Sequence, residues 1–428
     1  MPQQRKVLFL IIIAALGYFV DIYDLVLFGV VKAESLATIM PNATDALRAS
    51  TGKYLFNVQM LGMLLGGLLW GVLGDKKGRL KVLFGSILLY SLANILNAFV
   101  TDIPSYTAIR LIAGIGLAGE LGAGITLISE LMPKETRGYG TMIVVTFGAL
   151  GAVAASLVGA EGQVLGAFIA KLSGWQPENW QVVYLIGGGM GLLLLFLRVG
   201  ALESGFFSEM QSNTNIRKGQ LKLIFGKKEN LIKYLHCISI GIPIWYTVGL
   251  LVMNSADNFG PLLGVYDISN GKAVMYCYLG LSAGDLLAGF LSQWLKSRKK
   301  VVRIYLLFSL AITFVFLGIV PQYNISASTY YFMCFLLGAG TGYWAIFVTI
   351  AAEQFGTNIR STTANTIPNF VRGSVNLVML VFALLGAFHW NEGLSAMLTG
   401  LLFMSLALYS LSQLKETFGK DLNYFEVS

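Results

Sequence analysis

Apolar runs of about twenty residues or more follow one another along almost the whole chain, separated by short polar breaks. Each run is long enough to cross a hydrocarbon core of about 30 Å as a helix. Twelve spans can be drawn, at 7–31, 53–75, 80–101, 103–132, 139–160, 180–200, 231–255, 271–295, 301–321, 327–354, 361–388 and 391–412. The pattern predicts an all-α membrane protein, because helices satisfy their own backbone inside lipid. The long polar stretch 201–229 separates six spans from six. The expected organisation is an N-terminal half at 1–200, a middle loop at 201–229, a C-terminal half at 230–412 and a tail at 413–428.

Composition agrees with this picture. The 428 residues are 56% hydrophobic and 12% charged, where soluble domains carry about 25% charged residues. The 49 glycines suit close helix packing in lipid. Nine prolines are few, so most helices are expected to run unbroken. Cys237, Cys277 and Cys334 all lie in apolar runs and read as core packing. With two histidines, no metal site is expected. The first apolar run is too long for a cleavable signal. The net charge of +8 reflects distribution rather than nucleic-acid binding. Of 30 basic residues, 23 fall on the side of the N-terminus, seven of them around the middle loop. Five fall on the opposite side, and Arg110 and Arg372 lie inside spans. This asymmetry predicts both termini in the cytoplasm.

A charged turn interrupts the lipid-soluble pattern at Gly71-Val-Leu-Gly-Asp75-Lys76-Lys77-Gly78-Arg79-Leu80-Lys81. It resembles the signature between the second and third helices of the major facilitator superfamily. Gly71, Asp75, Lys76, Gly78 and Arg79 fit, and the last basic residue arrives one place late as Lys81. A weak internal repeat points the same way. Glu130 and Arg137 are seven residues apart, as are Glu353 and Arg360, and the same offset pairs Thr126 with Thr349. Gly289, Ser297 and Arg298-Lys299-Lys300 echo the charged turn, with Gln293 in place of its aspartate. The resemblance implies twelve helices in two six-helix halves, with a substrate site near the midplane between them. It also implies a gate: Asp75 facing the start of helix 11, and Arg79 pairing with Glu130 or its neighbours. Gly71, Gly78, Arg137, Glu353 and Arg360 belong to the same expected gate.

Ionisable groups inside the membrane are costly and are functional candidates. They are Asp21, Asp24, Arg110, Glu120, Asp285 and Arg372. Asp24 and Arg110 each lie about 10 Å below the outer surface at 1.5 Å per residue. The resemblance places their helices side by side. Asp21 is one turn deeper on the face of Asp24. Two close carboxylates need a nearby cation to stay ionised together, and Arg110 is one candidate. Glu120 follows near the midplane and is a third candidate for proton coupling. Arg110-Leu-Ile-Ala-Gly-Ile-Gly-Leu-Ala-Gly-Glu120 and Pro133-Lys-Glu-Thr-Arg137 resemble the proton-coupled metabolite and sialate symporters, with Ala-Gly-Glu for their Gly-Gly-Glu.

Asn365, Asn369, Arg372 and Asn376 share one face of helix 11. A guanidinium near the midplane suits a carboxylate, which it can grip through two donors. Its spacing from Arg360 resembles that of organic anion transporters. Pairing of Arg372 with Asp285 or Glu353 is the structural alternative. Tyr18, Tyr23, Trp245, Tyr246, Tyr343 and Trp344 are candidate cavity walls.

These features predict a proton-coupled symporter for a small organic anion or zwitterion, not an enzyme, in the inner membrane. It needs no cofactor beyond the proton, binds lipid but no nucleic acid, and is expected to act as a monomer. Helix 7 lacks the paired glutamines of sugar porters, and helix 5, Phe147-Gly-Ala-Leu-Gly-Ala-Val, lacks the Gly-Pro step of drug antiporters. A drug or metabolite:H+ antiporter is the second expectation. A non-transporting sensor is a third.

Overall fold

The computed structural model describes residues 3–122, 124–125, 132, 137–203, 221–388, 391–420 and 426. Among the described residues, twelve helices cross the molecule. In the first half they are α1 (Gln3–Ile39), α2 (Asp45–Lys77), α3 (Arg79–Asn97), α4 (Ile103–Leu117), α5 (Arg137–Ser173) and α6 (Asn179–Glu203). In the second they are α7 (Lys228–Val252), α8 (Asn270–Trp294), α9 (Arg298–Gln322), α10 (Ala327–Glu353), α11 (Arg360–Gly373 continuing as Val375–Gly386) and α12 (Glu392–Gln413). Ten are long and apolar enough to span a membrane; Lys81–Asn97 and α4 are shorter. Their outer faces carry apolar stripes, such as Leu61, Leu65 and Leu69 on α2 and Leu88, Leu92 and Leu96 on α3, all exposed. Such stripes suit contact with lipid tails.

Local chemistry sets the helix starts. The side chains of Thr44, Asp102, Ser297, Ser326 and Asn391 each accept a first-turn N–H, as N-cap residues do. Gly78 alone separates α2 from α3, at φ 93°, a backbone that side chains rarely tolerate.

The helices are less continuous than expected from the small number of prolines. The α4 helix breaks at Ala118-Gly119, and α10 breaks at Gly342-Tyr343. Residues Tyr246–Val252 of α7 wind as a wide π-helix, and Asn254 donates to the carbonyls of Gly249 and Leu250 there. The α4 and α10 breaks fall at glycines that touch a neighbouring helix, not at prolines. At Gly342 a Cβ would fall 2.5 Å from the Cα of Gly284.

The halves repeat one packing scheme. Gly62 of α2 lies against the carbonyl of Leu111, Gly66 against that of Ile115, and Gly114 of α4 against that of Gln59. In α8 and α10, Gly280 meets Phe335, Gly284 meets Ala339, and Gly338 meets Cys277 in the same register. The α4 and α10 breaks fall at matching places in that register. Likewise Tyr23 donates to Val183 of α6, and Tyr246 donates to Ala396 of α12. Glycine is needed at the crossings because a Cβ would enter backbone atoms of the neighbouring helix.

The α2–α3 and α8–α9 turns mark a basic face of the molecule. The C-terminal tail folds back across it. Glu416 accepts from the Ser297 hydroxyl and from the N–H groups of Arg298 and Lys299 at the start of α9. Burial pushes its carboxyl up, but these hydrogen bonds and that of Phe418 N–H outweigh burial and hold it below the usual range. Glu426 accepts from Lys233, and its backbone bonds with Asn358.

Candidate functional site

A narrow cavity lies between the halves. Tyr18 and Ile22 of α1 and Val145 and Ala149 of α5 form one wall. Ile244, Trp245 and Val248 of α7, Tyr278 and Leu281 of α8, and Trp344 of α10 form the other. Arg372 of α11 is the cationic residue among these lining groups. Its side chain is 1% exposed, so its charge has little access to bulk water.

Arg372 reaches across the interface to the first half. Its Nη2 donates to Asp21 Oδ2 at 3.3 Å and to the Tyr18 hydroxyl at 3.4 Å. Nη1 lies 3.5 Å from Asn369 Oδ1, and the guanidinium sits 5.6 Å from the Trp344 ring centre. This corrects the expected structural alternative, because neither Asp285 nor Glu353 pairs with Arg372. Asp285 Oδ1 instead accepts from Ala345 N–H at 2.9 Å, capping the second segment of α10. Glu353 accepts from Arg298 at 2.8 Å. Among the described residues, Arg372 Nε–H, Trp344 Nε1–H and Asp21 Oδ1 are buried without a hydrogen-bond partner. Arg372 and Trp344 line the cavity, which leaves their two donors available to a guest.

Asp24 and Arg110 also take other roles than an ion pair with each other. Arg110 donates to Gln59 and, at 3.4 Å, to the Tyr184 hydroxyl, and stacks 4.8 Å from the Phe28 ring centre. Asp24 is fully buried near Asn94 and Arg110, yet among the described residues neither oxygen meets a donor in hydrogen-bond geometry. The cation for Asp21 is therefore Arg372, not Arg110.

Glu120 is paired rather than isolated. Its carboxylate takes two donors from Arg198 of α6, one at 3.0 Å. Arg198 belongs to the seven basic residues assigned to the middle loop from sequence. The structure buries it at 3% exposure inside the first half. The available signal was its place within the apolar span 180–200, ahead of the polar stretch.

The aromatic candidates divide. Tyr18, Trp245 and Trp344 line the cavity, joined by Tyr278, which sequence reasoning missed. Tyr23, Tyr246 and Tyr343 turn away and bond to Val183, Ala396 and Ile240 within their own halves. The asparagine stripe divides too. Asn365 packs on Gly71 and Gly122, and Asn369 packs on Gly67 while donating to the Ala118 carbonyl at 2.8 Å. Both asparagines thus bind α11 to the first half. Asn376 is half-buried, with Oδ1 unpartnered among the described residues.

On the basic face, Asp75 of α2 accepts from Thr362 N–H at 2.9 Å and from the Thr362 hydroxyl, at the start of α11. Gly71 lets that helix end approach to contact distance of Thr362. In the second half Gln293 stands beside Gly138 of α5. Arg360 is buried at the start of α11. Glu130 and the side chains of Arg79 and Arg137 lie outside the described residues. On the opposite face, Lys32 of α1 pairs with Asp257 at 3.0 Å, and Lys53 donates to Asn258 at 3.3 Å. Contacts between the halves therefore lie on both sides of the cavity.

Residues 7–388 match the family model described as the Major Facilitator Superfamily. The chain is 27% identical over 371 residues to the 3-(3-hydroxy-phenyl)propionate transporter of Escherichia coli, covering 84% of each chain. It is 25% identical over 405 residues to the gentisate transporter of Corynebacterium glutamicum, covering 93% of this chain and 86% of that one. Among solved structures, the proton:xylose symporter XylE superposes with a TM-score of 0.71 over 98% of both chains, at 17% identity. That likeness is one of fold.

Proposed function

The chain belongs to the Major Facilitator Superfamily and is a multi-pass membrane transporter of small organic substrates; on that premise we propose that it is a proton-coupled symporter for a monocyclic aromatic carboxylate. The basic face is then cytoplasmic, and transport runs inward. The observation that carries this reading is the Arg372–Asp21 pair, which spans the halves at the edge of an aromatic-walled cavity. A carboxylate group matches the fork of the guanidinium. Trp245, Trp344 and Tyr278 offer flat apolar surface to an aromatic ring. Two relatives carry names of aromatic acids, which supports the same class.

Coupling follows from competition for one cation. With Asp21 ionised, Arg372 is occupied and an incoming anion meets a second negative charge. A proton on Asp21 neutralises that competitor and leaves Arg372 for the substrate. The carrier then changes state either empty, with the ion pair closed, or loaded with both proton and anion. The pair also bridges the halves, so its opening alters the contact that alternating access must remake.

The test is binding by purified protein to gentisate, 3-(3-hydroxyphenyl)propionate, sialic acid and xylose. One of the aromatic acids should stabilise the wild type against heat. Arg372→Lys keeps charge but loses the fork, and should weaken that binding roughly 10- to 150-fold, the worth of a charge-assisted hydrogen bond. Its ligand-free melting temperature should change little. Binding of xylose but of neither acid, or acid binding indifferent to Arg372→Lys, would sink the assignment.

A further inference from the structure

One face of α1 carries a ladder. Asp24, Asp21, Gly17 and Ile13 follow at helical intervals, so they lie one above another toward the basic face. Asp21 is held by Arg372. One turn below it, about 6 Å along the helix, Gly17 leaves bare backbone. The Glu120–Arg198 pair occupies that place: a Cβ on Gly17 would fall 2.0 Å from Arg198 Nη2 and 2.0 Å from Glu120 Oε1. A further turn down, Arg198 Nη2 donates to the Ile13 carbonyl at 3.3 Å. The pair is 2–4% exposed and lies inside the first half, away from the lining of the central cavity.

Packing alone does not demand this charge. In the shared register of the halves, Trp344 stands where Glu120 does and Leu411 where Arg198 does. The second half builds the same helix arrangement there without an ion pair; its nearby carboxyl, Asp285, caps the second segment of α10 instead. Burying two charges is costly unless they serve something.

We propose that Glu120 and Arg198 form a second proton station, so that the coupling proton leaves Asp21 through the first half instead of through the substrate cavity. The inference rests on the symport reading above. In the step, the O–H bond of protonated Asp21 breaks and its proton bonds to the Glu120 carboxylate. Asp21, now ionised, recloses on Arg372 and displaces the substrate carboxylate. Neutral Glu120 loosens its hold on Arg198, which keeps the Ile13 carbonyl. Glu120 then gives its proton to water on the basic face and re-forms the pair. Arg198 is thus a positioning residue: it aims Glu120 at α1 and draws it back to the ionised form. The groups around this route are Asp21 and Asp24 on α1, Tyr90 on α3, Arg110 on α4 and Arg372 on α11.

Proteoliposomes with a pH dye inside test it, using gentisate and 3-(3-hydroxyphenyl)propionate. In Glu120→Gln/Arg198→Gln, substrate counterflow should persist, while lumen acidification and pH-gradient-driven accumulation are lost. Gly17→Ala should give the same split by displacing the pair. Gly124→Ala, whose Cβ would meet, among the described residues, only Ala14 at 3.9 Å, should behave as wild type. Arg198→Lys should keep coupling but shift the pH profile of uptake. If the double variant acidifies the lumen and accumulates substrate at the wild-type rate, the pair is structural and the station falls. The same holds if it loses counterflow and thermal stability together while Gly17→Ala stays coupled. A wild type that moves neither acid, or moves one without acidification, removes the symport reading and the station with it.

Discussion

Gln59 and Arg110 in the first half stand where Cys277 and Cys334 stand in the second. The α2–α4 and α8–α10 crossings are otherwise alike, glycine against carbonyl in the same register. The first half fills its crossing with a guanidinium bonded to Gln59 and Tyr184. The second fills it with two buried thiols. The contrast extends along the molecule. Asp21, Asp24, Glu120 and Arg198 are buried in the first half, and their register partners Ile244, Thr247, Trp344 and Leu411 carry no charge. In return, Arg372 stands where the first half has Ala149, which lines the cavity opposite. One scaffold thus serves two purposes. The first half sets Asp21 and the Glu120–Arg198 pair along α1, whereas the second, whose Asp285 caps α10 and whose Glu353 pairs with Arg298, presents Arg372 and a wall of aromatic rings to the cavity.

The largest effect tests the shared scaffold. A Cβ on Gly62 would fall 2.4 Å from the Leu111 carbonyl oxygen, and one on Gly280 would fall 2.0 Å from that of Phe335. Backbone cannot yield as a side chain can, so Gly62→Val and Gly280→Val should each cost about 3 kcal/mol or more. Both should fail to give a monodisperse protein in detergent. A stable, active Gly280→Val would mean that the halves do not share this crossing.

The next prediction exchanges the fillings. Gln59→Cys/Arg110→Cys installs in the first half what the second already accommodates. The fold should survive, with a lowered melting temperature, because the thiols fill the crossing but buried Asp24 loses the cation beside it. Proton-driven uptake should vanish. If the double variant unfolds instead, the guanidinium is part of the first half's frame and the comparison of fillings fails.

A smaller effect concerns the asymmetry at the basic face, where Asp75 meets α11 but Gln293 meets α5. Asp75→Asn removes a charge from a helix start, where the dipole favours a negative group. Loss of a hydrogen bond to a charged acceptor costs about 1.5–3 kcal/mol, enough to move a two-state population roughly tenfold or more. Cysteine labelling from the basic face should rise in Asp75→Asn and stay unchanged in Gln293→Ala. Equal labelling in all three proteins would remove Asp75 from the gate.

The smallest effect belongs to the tail clasp of the second half. Glu416 is held below the usual carboxylate range, so its contribution is present above the pKa of the unfolded chain. It fades as pH falls through the lower folded value. Glu416→Gln should cost about 1 kcal/mol at pH 7, allowing for solvent at this half-buried site. The difference from wild type should shrink in thermal melts as the pH is lowered through that range. A difference that grows in acid would contradict the hydrogen bonds drawn here.

The chain alone determined the class of fold, because lipid leaves little choice. Runs of twenty apolar residues must be helices, and a glycine such as Gly78 allows the tight turn between two of them. The charged turn at Gly71–Lys81 carried the family on its own residues. Intramembrane charges were equally legible, since each is conspicuous in an apolar run, and Arg372, Asp21 and Glu120 stood out for that reason. Partnership was not legible. Arg372 and Asp21 are 351 positions apart, and no helical period relates residues on different halves. Arg198 looked like a loop charge because the end of an apolar run does not say how far a side chain reaches back. Tyr23, Tyr246 and Tyr343 shared the chemistry of true cavity residues, yet each turned to a carbonyl in its own half. The breaks in α4 and α10 were hidden because close glycine contacts between helices, not proline, mark them. The sequence determined what must be buried. Only the tertiary structure decided which buried groups meet, because that depends on how twelve rods are rotated against one another.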